Sequence, residues 1–167
     1  MLLLIRYESF DDALRDAARL VKSDPTAIET IDEKILSLAR EDEIYHKVEK
    51  FLEGPANRPT RTINLVEFTG DDFEVLQNRV EKLRKTIDRD MNLSGEATGY
   101  CLTEDAAEMS DLWDLRKKGV GLLGNLPGER KSLAFVEDTA VPPEHLAEYI
   151  REFRQLLEKY GLEYGIF

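Results

Sequence analysis

Three spaced glycines beside a run of cations are the part of the sequence best suited to bind an anionic ligand. Gly119, Gly121 and Gly124 follow the pattern G-x-G-x-x-G, which in dinucleotide-binding proteins lets the backbone approach a pyrophosphate. Glu137 and Asp138 follow near the place where a carboxylate would bind a ribose hydroxyl. The pattern raises three possibilities: a nucleotide site, a site for another anion, and an ordinary loop.

The order of the predicted elements argues against a nucleotide site. The fingerprint requires a strand before its first glycine and a helix after its last. Here capping and apolar spacing predict a helix that runs into a glycine loop, and residues 125–128 predict a turn before a strand at 132–138. A P-loop is also excluded, because Arg130 rather than a glycine precedes Lys131.

The positive charge of this segment has two interpretations. Five cations and one acid lie within residues 116–131, in a chain whose formal net charge is -11. The cations are Arg116, Lys117, Lys118, Arg130 and Lys131. They could be the cations that a helix C-terminus favours, followed by a solvated loop. Alternatively the loop holds a small carboxylate, with Arg116 as a planar bidentate clamp.

Other candidate groups suggest structure more readily than chemistry. The two histidines, His46 and His145, are too few and too far apart in sequence for an evident metal site. Cys101 is the single cysteine, and its strand-like setting predicts a small buried hydrophobe. Trp113 stands at helical spacing, which favours a place in the core or in an interface. The two acids that end the strand at 132–138 are more simply interpreted as ion-pair partners than as acid–base groups. No catalytic triad is recognisable.

Composition limits the class of protein. Hydrophobic residues make up 42% of the 167 residues and charged residues 34%, which is typical of a soluble globular domain. The negative charge argues against nucleic acid or an anionic membrane as the main partner. No signal peptide and no apolar run of about 20 residues is present. With one cysteine, these features predict a cytoplasmic protein.

Apolar periodicity and turn residues predict a mixed fold. Strands are expected at residues 2–7, 26–32, 62–70, 98–103, 132–138 and 163–167. Helices are expected after Ser9, at 33–41 and 43–52, after Thr69, after a Thr103 cap, and after Pro142 and Pro143. These elements predict a single α+β domain over residues 1–167, a mostly antiparallel sheet with helices on one face.

Two of the predicted helices carry clear apolar stripes. The helix after Thr69 should bury Phe73, Leu76, Val80, Leu83 and Ile87. The last helix should bury Leu146, Tyr149, Ile150, Phe153, Leu156 and Leu157. Because the chain ends on an apolar residue directly after a strand-like run, we expect a domain from a longer protein.

Several segments resemble a known family. The strongest resemblance lies in residues 112–167, LWDLRKKGVGLLGNLPGERKSLAFVEDTAVPPEHLAEYIREFRQLLEKYGLEYGIF. Further matches are SFDDALRDAARLV, AIETIDEKILSLARED and INLVEFTGDD, so the resemblance covers essentially the whole chain. The segments resemble the C-terminal cap domain of FAD-linked oxidases, which follows the flavin-binding domain in D-lactate and D-2-hydroxyglutarate dehydrogenases. The long bacterial type, with an added iron–sulfur half, is the most similar.

The resemblance implies a ferredoxin-like cap domain and assigns its site residues. In the family, the arginine of a W-x-x-R helix contacts the substrate carboxylate, and here that arginine is Arg116, after Trp113. Shorter members have a lysine where this chain has Val136, so that contact does not carry over. Lys131 and Arg130 are the candidates for a second substrate contact.

The resemblance also implies the reaction and the cofactors of the parent protein. The parent would oxidise a D-2-hydroxyacid, lactate or 2-hydroxyglutarate, and pass hydride to FAD and electrons to iron–sulfur clusters. The flavin-binding domain, a divalent-metal motif and the cluster cysteines would lie outside this chain. We expect no catalytic residue here and no activity from the isolated chain. The alternative is a stand-alone α+β domain that binds a small anion or another protein.

Overall fold

A computed structural model describes residues 1–93, 96–124, 136 and 139–166 of the chain. The strands are β1 (Leu2–Tyr7), β2 (Ala27–Ile31), β3 (Thr62–Glu67) and β4 (Ala97–Thr103). The helices are α1 (Phe10–Leu20), α2 (Glu33–Ala39), α3 (Tyr45–Leu52), α4 (Phe73–Leu93), α5 (Ala106–Gly124) and α6 (Leu146–Lys159).

The described strands form one antiparallel sheet in the order β2-β3-β1-β4. Helix α1 connects β1 to β2 and α4 connects β3 to β4, which gives the β-α-β-β-α-β order of a ferredoxin-like fold. Helices α2 and α3 are inserted between β2 and β3. The predicted α+β class and the antiparallel sheet are therefore confirmed.

Helices cover both faces of this sheet rather than the one face that we predicted. Leu2 and Leu4 of β1 belong to a core with α2, α3 and α5, whereas Leu3 and Ile5 belong to a core with α1 and α4. All four of these leucine and isoleucine side chains are at most 1% exposed. Successive side chains of a strand point to opposite faces, so an unbroken apolar run requires cover on both.

Helix caps agree only in part with the prediction. Ser9 caps α1 as expected and accepts a hydrogen bond from the backbone N–H of Asp12 at 3.1 Å. Helix α5 is capped by Asp105, which accepts from the N–H of Glu108 at 3.0 Å, and not by Thr103. Thr103 is the last residue of β4 and instead accepts from the N–H of Asp105.

The last predicted strand does not form within the described residues. Residues 162–166 make no ladder, and side-chain contacts hold them instead. The N–H of Ile166 donates to Asp32 Oδ2 at 2.9 Å, and a Cβ on Gly165 would lie 2.7 Å from Leu123. The predicted strand at 132–138 lies outside the described residues apart from the single position 136.

The two predicted apolar stripes are buried to different extents. In α4, four of the predicted positions pack in the core, but Phe73 at its first residue is 54% exposed. In α6 only Leu157 is buried, and Leu156 is 50% exposed. Helix α6 lies against α1, where the Arg154 guanidinium is 5.7 Å from the Phe10 ring. Within the described residues, packing against α1 leaves part of the stripe uncovered, as the exposure of Leu156 shows.

A buried polar cluster joins β1, β3 and α1. The Tyr7 hydroxyl donates to Asp16 Oδ2 at 2.5 Å, and Asn64 Nδ2 donates to the Tyr7 hydroxyl at 3.2 Å. Asn64 Nδ2 also donates to the carbonyl of Ala13 at 2.9 Å, and Arg19 donates to Asp16 Oδ1 at 2.7 Å. Since buried polar groups are costly to leave unpaired, the cluster specifies how α1 sits on the sheet.

We expect Tyr7→Phe to lower the free energy of unfolding of the chain by about 1–2 kcal/mol, because the buried Asp16 carboxylate loses a donor. Urea unfolding followed by circular dichroism measures the change. The matched control is Tyr100→Phe, which removes a hydroxyl that donates to Asp88 in an exposed setting at 3.2 Å. That control should change stability by less than about 0.5 kcal/mol. Equal losses in both variants would contradict the role of the cluster.

The same tyrosine predicts a loss of stability at high pH. Burial first, and then the neighbouring Asp16 charge, raise the pKa of Tyr7 well above its ordinary value. Above about pH 10 the unfolded state loses this proton while the folded state keeps it, so stability falls as pH rises. Tyr7→Phe lacks this contribution, so its stability deficit should narrow between about pH 9 and 11. Urea midpoints across that range test this, and a constant deficit would refute it.

Candidate functional site

Helix α5 carries the two residues of the predicted W-x-x-R site on one side. Trp113 and Arg116 are three residues apart, which makes them neighbours on a helix surface. Leu112 and Leu115 are fully buried in the core that α5 shares with α2 and α3. Burial of the leucines therefore fixes which side of α5 faces the sheet.

Arg116 contacts an acid of the sheet. Its Nε donates to Glu29 Oε2 at 3.2 Å, and the two side chains are 32% and 30% exposed. Glu29 lies in β2, opposite Leu65 of β3, on the sheet face that α5 covers. The guanidinium of the predicted clamp is thus held at the edge of the domain, partly accessible to solvent.

Trp113 is anchored in a similar way. Its indole Nε1 donates to Glu67 Oε1 at 3.3 Å, and its ring packs against the α2/α3/α5 core. Glu67 of β3 lies opposite Ala27 of β2. It is two residues after Leu65, the partner of Glu29. The two acids are therefore diagonal neighbours on adjacent strands.

The guanidinium of Arg116 is suited to bind a carboxylate, but the nearby acids oppose the binding of an anion. A guanidinium has five N–H donors in a planar fork, and the contact with Glu29 uses Nε. A guanidinium is the kind of group that binds a carboxylate through two parallel N–H donors. Glu29 and Glu67 place two negative charges beside one positive charge, so they weaken the attraction of the site for anions.

The neighbouring lysines belong to a different surface. Lys117 pairs with Asp114 at 3.4 Å, and Lys118 pairs with Asp42 at 2.7 Å and lowers the pKa of that carboxyl. These lysines line an open groove of about 390 Å³ between α3 and α5. These lysines pair with acids of the same surface. They are therefore better interpreted as solvated surface cations than as part of an anion site.

The three glycines lie in helix α5 and not in a loop, so that part of the prediction is wrong. The helix continues to Gly124, and Leu122 and Leu123 pack against the α2/α3/α5 core. Tertiary packing therefore overrides the low helix propensity of glycine. Helical N–H groups are already bonded along the helix, so this segment cannot cradle a pyrophosphate, in agreement with the rejection of a nucleotide site.

Four predicted candidates lie outside the described residues: Arg130, Lys131, Glu137 and Asp138. The structure therefore leaves their roles as predictions. Val136 is 41% exposed. Arg116 is the predicted substrate-binding residue whose surroundings are known.

The remaining candidates show no organised chemistry in the part of the chain that the structure describes. His46 and His145 are exposed, and those residues contain no cluster of three metal-ligating side chains. Burial raises the pKa of the partly buried Cys101 thiol, and the nearby Arg6 opposes this shift less strongly. None of the described helices is long and apolar enough to cross a membrane.

Sequence reasoning missed Glu29 and Glu67. Glu29 is 87 residues from Arg116, and Glu67 is 46 residues from Trp113. The available signal was an acid at an inward-facing position of each strand, where an apolar residue is expected. Only the strand register brings those acids under α5.

Comparisons with known proteins identify the family. The family model described as FAD linked oxidases, C-terminal domain, matches residues 1–167. The chain is 46% identical over 167 residues to a D-2-hydroxyglutarate dehydrogenase of Pseudomonas putida and 44% identical over 164 residues to one of Pantoea ananatis. It is 42% identical over 165 residues to that of Escherichia coli. These matches cover 98–100% of this chain but 16% of the length of each relative. The chain therefore belongs to the family of FAD-linked oxidase C-terminal domains, the family that its sequence resembles.

Proposed function

We propose that the chain is the substrate-covering domain of a longer FAD-dependent dehydrogenase that oxidises D-2-hydroxyglutarate to the 2-oxoacid. The observation that carries this proposal is the 42–46% identity, along nearly the whole chain, to four proteins named D-2-hydroxyglutarate dehydrogenase. The parent would be an oxidoreductase acting on a CH–OH group. D-lactate is the second candidate substrate.

Within that protein, Arg116 would bind the substrate carboxylate and orient the hydroxyl-bearing carbon. Its partial exposure and its fixed position on α5 support this role. The contribution is one of positioning and not of proton transfer, since an arginine keeps its charge. A dicarboxylate would need a further cation, and Arg130 and Lys131 are the candidates.

The described residues do not fit FAD, which we place in another part of the parent. The glycines that could have cradled a pyrophosphate are helical, so no phosphate-binding loop is formed by them. We therefore propose a flavin-binding domain of the same protein as the main partner of this chain. The divalent metal and the iron–sulfur cluster of the long bacterial type are assigned to the parent by resemblance. A cytoplasmic location is proposed on the single cysteine, Cys101.

The surface of α6 weighs against the stand-alone alternative. Leu156 in the last turn of this helix is 50% exposed, and Tyr160 and Leu162, which follow the helix, are 68% and 46% exposed. An apolar surface of this kind is costly to leave in water, and it is expected where another domain packs. A complete small-anion binding domain would have no need of it.

We expect Arg116→Ala in the flavin-loaded full-length protein to lower kcat/KM for D-2-hydroxyglutarate tenfold or more. Loss of one charge-assisted contact worth about 1.5–3 kcal/mol predicts this effect. Anaerobic bleaching of the flavin absorbance measures it. The matched control is Lys117→Ala, the next cation, which is 70% exposed and pairs with Asp114. The control should stay within about twofold of the wild type.

The outcomes separate the parts of this proposal. Equal rates for Arg116→Ala and the wild type would remove Arg116 from the substrate site and leave the dehydrogenase assignment in place. A full-length protein that contains no flavin, or whose flavin neither D-acid bleaches, would refute the dehydrogenase assignment.

We expect the isolated chain to bind no flavin and to oxidise no D-2-hydroxyacid, because the cofactor site lies elsewhere. To test binding, FAD is added, the chain is separated by gel filtration, and its absorbance is read between 350 and 500 nm. Reduction of an artificial electron acceptor tests activity. The full-length protein under the same conditions is the positive control. Stoichiometric FAD on the isolated chain would show the domain assignment to be wrong.

A further inference from the structure

We infer that Glu29 is a positioning residue for Arg116, holding the guanidinium through Nε and limiting its attraction for anions. This inference rests on the proposed function, in which Arg116 binds the substrate carboxylate. The residue to which it assigns a role lies on strand β2, 87 residues from Arg116 in sequence.

The first support is the geometry of the contact. Glu29 Oε2 accepts from Arg116 Nε at 3.2 Å across 87 residues of sequence. An arginine side chain has many rotamers, and a contact at Nε restrains the plane of the whole guanidinium. Both side chains are about one third exposed, so the pair is neither sealed in the core nor free in solvent.

The second support is the anchoring of the helix that carries Arg116. Trp113 lies about one helical turn before Arg116. Its indole Nε1 donates to Glu67 Oε1 on β3 at 3.3 Å. Leu112 and Leu115 fix the same stretch of α5 in the core. Core packing therefore fixes the backbone at Arg116. The contact with Glu29 acts on the Arg116 side chain.

The charge of Glu29 has a separate effect. A carboxylate next to Arg116 repels an incoming substrate carboxylate, so it weakens binding while it improves orientation. The two effects can be separated by substitution. Glutamine keeps an acceptor oxygen for Nε and removes the charge, whereas alanine removes both.

The experiment measures kcat and KM for D-2-hydroxyglutarate in the flavin-loaded full-length protein. Glu29→Gln should keep kcat within about twofold and lower KM about two- to fourfold, the scale of one partly screened charge. Glu29→Ala should lower kcat/KM about tenfold, because the guanidinium loses the contact that restrains it through Nε. Glu33→Gln is the charge control, since Glu33 is exposed and pairs with Arg61 instead. It should leave both constants unchanged.

A double variant tests whether Glu29 acts through Arg116. In an Arg116→Ala background, Glu29→Ala should change kcat/KM by less than about twofold, because nothing remains to be positioned. A residue that only stabilises the fold would cause the same loss in both backgrounds. Flavin content and the unfolding midpoint of each variant identify such a loss.

The results distinguish this inference from the proposed function. Suppose that Arg116→Ala lowers kcat/KM as expected. Equal kcat and KM for the two Glu29 variants, or equal constants for Glu33→Gln and Glu29→Gln, would then refute only the role of Glu29. An effect of Glu29→Ala that persists in the Arg116→Ala background also refutes it. If neither D-2-hydroxyglutarate nor D-lactate reduces the wild-type flavin, the proposed function and this inference both fail.

Discussion

The central strand β1 imposes the constraint on which the rest of the fold depends. It pairs with β3 along one edge and β4 along the other, and its run of leucine and isoleucine is buried on both faces. A strand of this kind is stable only if helices cover both sides of the sheet. Helices α1 and α4 meet this need on one face, and α2, α3 and α5 meet it on the other.

The site on α5 follows from that cover. Leu112 and Leu115 must face the sheet, and this leaves Trp113 and Arg116 over the inward-facing acids of β2 and β3. Glu29 and Glu67 are partly shielded from water and therefore need donors, which the guanidinium and the indole provide. A helix that packs as a core element therefore also presents a cation at the domain edge.

Polar groups are used differently on the two faces. On the α1/α4 face, Tyr7, Asp16 and Asn64 form a buried cluster that specifies packing. On the α5 face, the contacts of Trp113 and Arg116 lie nearer the surface and leave side chains partly exposed. Burial favours rigidity in the first cluster, while the second is partly accessible to solvent.

The sequence by itself determined most of the elements, because apolar periodicity and capping residues act over short distances. It predicted the antiparallel α+β class, the first four strands and the six helices, whereas the role of Arg116 in substrate binding, assigned by resemblance, stays a prediction. It could not predict cover on both faces, the helical glycines or the fate of residues 162–166, since these depend on packing against distant elements. Only the tertiary structure brought Glu29 to Arg116, because strand register and not sequence distance decides which acid lies under α5.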